Sequence, residues 1–494
     1  MAKVLPMARY EAGYISDYNS APPRANSADR EIYSAGDRLR DWARYLSKNS
    51  SIVKAILDSR VAKGVGAGIS YQPMVRDKNG NLLEELNNAI RKVHKEWSKA
   101  SDVTGELSRQ EIERLVWRDW DTVGEVFARK VYRGRTAKQI GYQVQLIPSE
   151  LVPYGFVQKS TPIMGVDRDE WGMPLKYWVY PYAPSSQTWM FNLPALQPNS
   201  IDAKYIKHLR RQEELNATRG VTLIHPVIFR VSDIAEYQQS HRRAARASAN
   251  LFASINRDID FEPLDENPPE SYSSSLGQNE LNLNDLQILD FLKSGESVNF
   301  HAPQHPNQNA VEFVNQELRQ IASSCRVAFS WIAYVFDRAY AAQRTELVHA
   351  WEMIYEDQGQ YIRDFALPML YEEPLKIAIL EGRLPARELR KADQETLYDV
   401  RIQCPVMPSI DPVSDRQAAQ IDQEMGWESR FGNIRRFGKD PAQVDGEREL
   451  DDFEPMQKDQ NQVMQNDQQN EQDQADSGTD QGNQPENRGR NLYS

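Results

Sequence analysis

Cysteine is nearly absent: Cys325 and Cys404 are the only two in 494 residues, and Cys325 sits inside a helical pattern. That argues against a disulfide framework and fits a reducing compartment. No Gly-x-x-x-x-Gly-Lys-Ser/Thr occurs, which argues against a P-loop ATPase, and neither His-Glu-x-x-His nor a nucleophile elbow is present. Positive charge is in deficit, with 59 Lys and Arg against 71 Asp and Glu, a net −12. A broad basic face that reads DNA sequence is therefore not expected, although a duplex that passes without being gripped remains compatible. Long apolar runs are missing too. The longest, VAFSWIAYVF at 327–336, is about half a membrane span. The opening MAKVLPMARYEAGY lacks an apolar core of signal-peptide length. The expectation is a soluble intracellular protein with no membrane partner, no cofactor, no metal and no catalytic residue.

Apolar residues make up 40% and charged residues 26%. Most of the chain should fold, but it is too long for one compact core. Residues 1–29 are polar and turn-rich, an arm. Helical periodicity marks 37–63, about 83–99, and 108–122, where Ser108 and Glu111 form a capping-box pattern. Residues 123–182 change period and read as an antiparallel sheet, with GVDRDEWGMP as a turn between two strands. Residues 183–219 read as irregular. A long helix is expected at 225–257, opened by Pro226. The Pro-, Ser- and Asn-rich segment 258–306 carries short strand-like pieces, LQILDFL and ESVNF. Helices follow at 308–333, at about 343–366 ending near Pro368, at 374–381 and at 412–426. From 452 on, the chain is almost all Gln, Asn, Asp, Glu and Gly. That composition lacks the apolar surface needed to order itself.

KGVGAGIS at 63–70 contains Gly-x-Gly-x-Gly, but it follows a helix and leads into a strand. A dinucleotide loop needs the reverse order, so a glycine turn is the reading. His301 and His305 lie four apart, but the prolines of HAPQHPNQN prevent a helix and no further ligand clusters nearby. In 308–333, Phe313, Val314, Leu318, Ile321, Ala322, Cys325, Ala328, Phe329 and Ile332 make one apolar stripe. Gln316, Arg319, Ser323, Arg326 and Ser330 lie opposite. The middle of the 225–257 helix, SHRRAARASAN, combines small residues with Arg242, Arg243 and Arg246. It suits contact between subunits or a solvated channel; an ordinary solvated surface helix is the alternative.

The order of these motifs resembles the bacteriophage portal proteins of the lambda-like family, over roughly residues 30–445. DRLRDWARYLSKNSSIV followed by KGVGAG matches the family's Arg-rich helix and Val-Gly-x-Gly turn. Gly124-Glu125 matches a Gly-Glu before a strand. LIPSELVPYG and GVDRDEWGMPLKYWV match a strand with an acidic end and its Gly-x-Pro turn. Arg219-Gly220-Val221 and the long helix after it match the most specific element. SGESVNFHAPQHPNQNAVEFVNQELRQIA matches a Gly-Glu-x-Val strand, Pro loop and amphipathic helix. The family's Asp, Tyr-Ser-Ser and Arg appear as Asp337, Tyr340-Ala341-Ala342 and Arg344, with two alanines in place of serines. Ile-Asp-Pro appears in SIDPVSDRQAAQIDQEMGW.

The resemblance implies an α+β, elongated, portal-type subunit in a ring, usually of twelve copies, at one vertex of a phage head. Double-stranded DNA passes through that ring during packaging and ejection. The terminase large subunit, the major capsid and scaffolding proteins and a head–tail adaptor are the implied partners. The implied location is the virion, after assembly in the host cytoplasm. The mapping assigns a wing to 30–224, a first stem helix to 225–257, a clip to 258–306 and a second stem helix to 308–331. A tunnel loop and long wing helix take 332–404, a crown 405–450, and an acidic tail 451–494. WIAYVFDRAYAAQR at 331–344 would be the bend between the second stem helix and the next. There Trp331, Tyr334 and Phe336 would pin it against neighbouring subunits. Asp337, Arg338, Tyr340, Gln343 and Arg344 would face the channel, and Arg242, Arg243 and Arg246 a subunit contact or the channel. Another structural phage head protein, a head–tail adaptor or coat subunit, is the rival reading. An ordinary helical hairpin with a charged tip is the rival for 331–344.

Overall fold

The computed structural model describes residues 27–133, 140–155, 157–158, 161–162, 164–181, 197–250, 253–257, 296–300, 308–334 and 340–450. The tail from 451, the arm to residue 26, both loop histidines, Phe336, Asp337 and Arg338 lie outside these residues, as does LQILDFL. The fold mixes helix and sheet, and divides into two compact units between Asp415 and Arg416.

Two helices open the first unit, α1 (Ala28–Asn49) and α2 (Ser51–Gly64). The single helix expected over 37–63 is therefore broken. Ser50 adopts an extended conformation (φ −102°, ψ 121°), and its side chain accepts from the Val53 N–H to cap α2. Strand β1 (Ser70–Pro73) follows the glycine turn, then α3 (Glu84–Trp97) and α4 (Arg109–Val123). The capping box forms as its spacing predicts: Ser108 accepts from the Glu111 N–H, and Glu111 accepts from the Ser108 N–H at 2.8 Å.

Strands β2 (Glu125–Tyr132) and β3 (Tyr142–Ile147) come next, then a short hairpin of β4 (Val157–Gln158) and β5 (Thr161–Pro162). Strands β6 (Val166–Arg168) and β7 (Pro174–Val179) flank the turn expected at GVDRDEWGMP. Two further strands, β8 (Asn199–Asp202) and β9 (Ile206–Arg210), lie in the stretch read as irregular. They complete two antiparallel sheets, β3-β2-β9 and β6-β7-β8. Strand β9 pairs with β2 from Glu125↔Arg210 to Arg129↔Ile206, and a partner so distant leaves no local periodic mark. The sheet around β2 is covered on both faces. Val126, Ala128 and Leu209 join the main core with Trp117, Trp120, Tyr142 and Tyr361, while Phe127 and Ile206 join a second core with Val166 and Tyr177.

Helix α5 (Ile228–Asn250) ends seven residues earlier than expected. Strand β10 (Ala253–Arg257) replaces its last turns and pairs antiparallel with β11 (Glu296–Phe300), from Ala253↔Phe300 to Arg257↔Glu296. Arg257 and Glu296 thus lie side by side. The helix expected over 308–331 is two pieces, α6 (Gln308–Ser324) and α7 (Phe329–Ala333). Arg326 breaks it by taking a left-handed conformation, φ +58°. Tyr334, φ +52°, ends α7.

Helix α8 (Tyr340–Tyr361) does not stop near Pro368. It runs on through a π-helical stretch, Ile362–Glu372, into α9 (Glu373–Leu380). The wider π turn accommodates the missing N–H and the ring of Pro368. Helix α10 (Ala386–Lys391) and β12 (Val400–Gln403), paired with β1, complete the unit. Helix α11 (Pro412–Glu424) crosses into the second unit, whose α12 (Arg430–Arg436) and α13 (Pro441–Leu450) carry no periodic signal in the sequence.

Candidate functional site

The helix pair α5 and α6 carries the cationic residues singled out in the sequence. At its root, Ile228, Val231 and Ile234 of α5, Ile321 and Ala322 of α6 and Cys325 just after it enter one apolar core with α2, α7 and α8. Outside that core, isolated side-chain pairs join the two helices: the Tyr237 and Phe313 rings lie 5.2 Å apart, and Arg230 pairs with Glu317 at 3.4 Å. Within α5 the His241 ring nitrogen is 2.9 Å from the Tyr237 hydroxyl. Arg242, Arg243 and Arg246 are all exposed, and no carboxylate occurs between Tyr237 and Asn250. Arg242 Nε donates to the Gln238 carbonyl at 3.2 Å, which orients its side chain along the helix.

The bend is built differently from the expectation. Trp331 packs inside its own chain, T-shaped against Trp351 at 6.2 Å, with the Lys63 ammonium 4.4 Å from its ring centroid. Tyr334 is 74% exposed, so the two aromatics do different work. Tyr340 begins α8. Gln343 is half-buried, and the exposed Arg344 pairs with Asp415 at 3.5 Å.

Beneath the helix pair lie buried ionic clusters that no periodicity announces. Arg60 of α2 donates to Asp121 of α4 at 3.0 and 3.2 Å, and also to Asp357 of α8. Arg211, just after β9, binds the same two carboxylates, and its guanidinium lies 4.2 Å above Trp120. Arg326 completes the group. Its guanidinium reaches Asp357 at 3.1 Å, and its backbone carbonyl accepts from Arg60 at 3.3 Å. This explains the break after α6: the left-handed turn aims both ends of Arg326 at the cluster. Burial alone would raise the Asp357 carboxyl, but Arg211, Arg60 and Arg326 outweigh it and hold it below the usual range.

The second cluster centres on Glu125. Its carboxylate accepts from Arg219 Nε at 3.0 and 2.8 Å, Ser149 at 2.7 Å, Tyr154 at 3.3 Å and the Gly220 N–H at 3.2 Å. His208 Nε2 lies 3.0 Å from it, its ring stacked on Phe127. Burial pushes His208 down to about 4, so at neutral pH the ring is uncharged and donates a hydrogen bond. Burial would raise Glu125, but Arg219 and His208 hold it well below the carboxylate range.

The glycines beside these residues permit the close approach. Gly124 caps α4 at φ +92°, and a Cβ there would stand 2.1 Å from the Val221 backbone. A Cβ on Gly220 would stand 2.1 Å from the Gly124 carbonyl. Gly124-Glu125 and Arg219-Gly220-Val221, two motifs far apart in the chain, are therefore one structural unit. The sequence signal for this was the pair of motifs; their meeting was not readable from either one. The carboxylates of both clusters are buried and every one is neutralised, with only Arg326 of these arginines reaching solvent, which suits rigid anchorage. Among the described residues no group of three or more His, Cys, Asp or Glu is placed to hold a metal ion. No described helix is long and apolar enough to cross a membrane.

Residues 16–358 match the family described as phage portal protein, lambda family, and the chain belongs to that family. A curated relative, the "Probable portal protein" of Halomonas phage phiHAP-1, is 24% identical over 450 residues, covering 86% of this chain and 82% of its own. Among solved structures, a chain from the neck of the native gene transfer agent particle computed with C12 symmetry is 12% identical. It has a TM-score of 0.38, with 85% of this chain and 96% of that chain covered. A chain from the neck of the empty particle computed with C6 symmetry is 13% identical at the same TM-score and coverage.

Proposed function

We propose that the chain is the portal subunit of a phage head, forming a ring at one vertex through which double-stranded DNA is packaged and ejected. Membership of the portal family carries this reading. The wing corresponds to 30–224 and the long helix from Tyr340, the stem to α5 and α6, the clip to 258–306, and the crown to 405–450. Arg242, Arg243 and Arg246 face the DNA or the next subunit from the stem, and Asp337, Arg338, Tyr340, Gln343 and Arg344 form the tunnel-loop region. The net −12 charge supports passage without grip, because each neutralised phosphate adds salt-dependent affinity. Three arginines per subunit at one level guide the duplex without holding it. The terminase large subunit and a head–tail adaptor dock on the ring, and the capsid and scaffolding proteins surround it during assembly in the host cytoplasm.

Electron microscopy and mass photometry of the purified protein test this reading. A closed ring with a central hole, of mass about 680 kDa for twelve copies of the 56.8 kDa chain, is expected. A stable monomer at every concentration and salt overturns it. An assembly with no hole points instead to another head component.

A further inference from the structure

Between α1, the Ser50 break and α5 lies a groove of about 810 Å³. The buried Leu46 and Val231 line it from within, while Trp42 and Tyr45 line it with 40% and 57% of their surface in solvent. Their rings are T-shaped, with centroids 5.9 Å apart. Its rim carries both signs of charge, Asp41 and Glu236 with Arg38 and Arg242. Arg242 donates to the Gln238 carbonyl. Among the described residues the side chains of Arg38, Asp41 and Glu236 make no ion pair and no hydrogen bond. The groove therefore holds two exposed aromatics and two unanswered carboxylates.

That lining selects an occupant. Aromatic-walled grooves take proline-rich segments, because proline, with φ fixed at about −65°, loses little freedom when its ring is held. The chain carries such a segment just before α1: Asp17-Tyr-Asn-Ser-Ala-Pro22-Pro23-Arg24. Arg24 is the one cation between residues 10 and 26, and Asp17 the one acid between 12 and 26. A segment with a cation at one end and an acid at the other answers a rim of both signs. Pro22 and Pro23 fit the Trp42–Tyr45 slot, and Arg24 supplies the counter-charge that Asp41 and Glu236 lack. The chain's other Pro-Pro, Pro268-Pro269, stands among Asp265, Glu266 and Glu270 with no cation between 258 and 292. The tail from 451 carries ten carboxylates against three cations. Neither can neutralise those two carboxylates.

Reach decides which copy supplies the segment. Trp42 stands 14 residues beyond Ala28 on α1, about 21 Å along the axis. To run back along its own helix the chain must first reverse, which takes about four residues. With Arg24 to Ser27 given to that turn, Pro23 would lie beside the first turn of α1, still roughly 15 Å short of Trp42. The same segment of a neighbouring copy is under no such tether, and a head-to-tail contact of this kind repeats around a ring.

We infer that the Trp42–Tyr45 groove is the docking site for residues 17–24 of the adjacent subunit, so that each arm clasps its neighbour. This rests on the ring reading above and names one contact within it.

The test uses the full-length chain with p-benzoylphenylalanine in place of Tyr45, irradiated after assembly. A covalent dimer on a denaturing gel is expected, with the cross-linked peptide mapping to residues 1–27 of the other copy. An intact ring with cross-links inside one chain, with none, or with dimers joined beyond residue 27 overturns the contact and leaves the ring reading standing. An unsubstituted chain that never forms a ring overturns both. As a second measurement, Pro22→Ser, Pro23→Ser and Arg24→Ser combined are expected to raise the concentration at which rings dissociate at least about tenfold. All three precede α1, so the helix and its core are kept. An unchanged dissociation concentration also overturns the contact.

Discussion

Arg219 Nε lies 3.0 and 2.8 Å from the two carboxylate oxygens of Glu125, with both side chains wholly buried. The same guanidinium donates to the carbonyls of Val152 at 3.1 Å and Met164 at 2.8 Å. One arginine thus ties β2, the loop after β3, the residues before β6 and the entry to α5 together. Removing one partner leaves the other charge buried and unpaired, which costs about 3–5 kcal/mol. Glu125→Gln and Arg219→Met should each lower the unfolding free energy by that amount. Arg219→Lys should not restore it, because a lysine cannot make the forked hydrogen bonds. Urea titrations of the three variants check this.

Gly124→Ala should damage the fold more than its size suggests. The position requires φ +92°, and the new methyl group meets the Val221 backbone, which has no side chain to swing away. Gly80→Ala provides the comparison. It also has positive φ, +86°, but nothing lies within 4 Å, so it should cost only about 1–2 kcal/mol. Soluble yield and resistance to limited proteolysis should separate the two.

Stability should fall as pH drops from 6.5 toward 4. Burial, aided by Arg109, pushes His94 down to about 4, and burial does the same to His208. Both rings are neutral in the fold, so below 6.5 the unfolded chain binds protons that the folded chain refuses. Each contributes a slope of about 1.4 kcal/mol per pH unit across that window. Glu125 and Asp357, held low by their arginines, extend the loss as pH falls below the ordinary carboxylate range. His94 Nε2 bonds the Leu370 carbonyl at 2.9 Å, so His94→Gln keeps a donor and removes a titrating group. Urea midpoints between pH 7 and 4.5 should fall about half as steeply in that variant.

The two aromatics of the bend should respond in opposite ways. Trp331→Ala should cost about 3–5 kcal/mol, because the ring fills the space between Trp351 and Lys63. Tyr334→Ser should stay within about 0.5 kcal/mol, as its ring is in solvent. Thermal melts decide this, and equal losses would contradict the burial of one ring and the exposure of the other.

Replacing Arg242, Arg243 and Arg246 by Gln should leave the melting temperature within a few degrees, since all three are exposed. If they meet phosphates, the dependence of DNA affinity on salt should become shallower, by about 0.9 in the log–log slope for each phosphate no longer neutralised. An unchanged slope together with weaker ring assembly assigns them to the subunit contact instead.

Features that depend on neighbouring residues were readable in the chain itself. Ser108 and Glu111 cap α4 because the capping box spans one turn, and the glycine turn before β1 needs no distant partner. The stripe of α6 was legible for the same reason: Ile321, Ala322 and Cys325 are buried as their spacing demands. Phe313, placed on that stripe, is 47% exposed, with the Tyr237 ring 5.2 Å away.

Distance along the chain decided the rest. Arg60 and Asp357 stand 297 positions apart, and nothing local marks either as a buried ion. Arg326 lies on the polar line of a regular helical pattern, yet the cluster draws it out of the helix and splits the element in two. Strand β9 exists because β2 has a free edge, and Pro368 stays within a helix because the surrounding core holds a wider turn. Helix periods, caps and turns were set by short-range sterics and hydrogen bonding within a few residues. Buried charge is tolerable only where its counter-charge arrives, and that arrival is a property of the assembled fold alone.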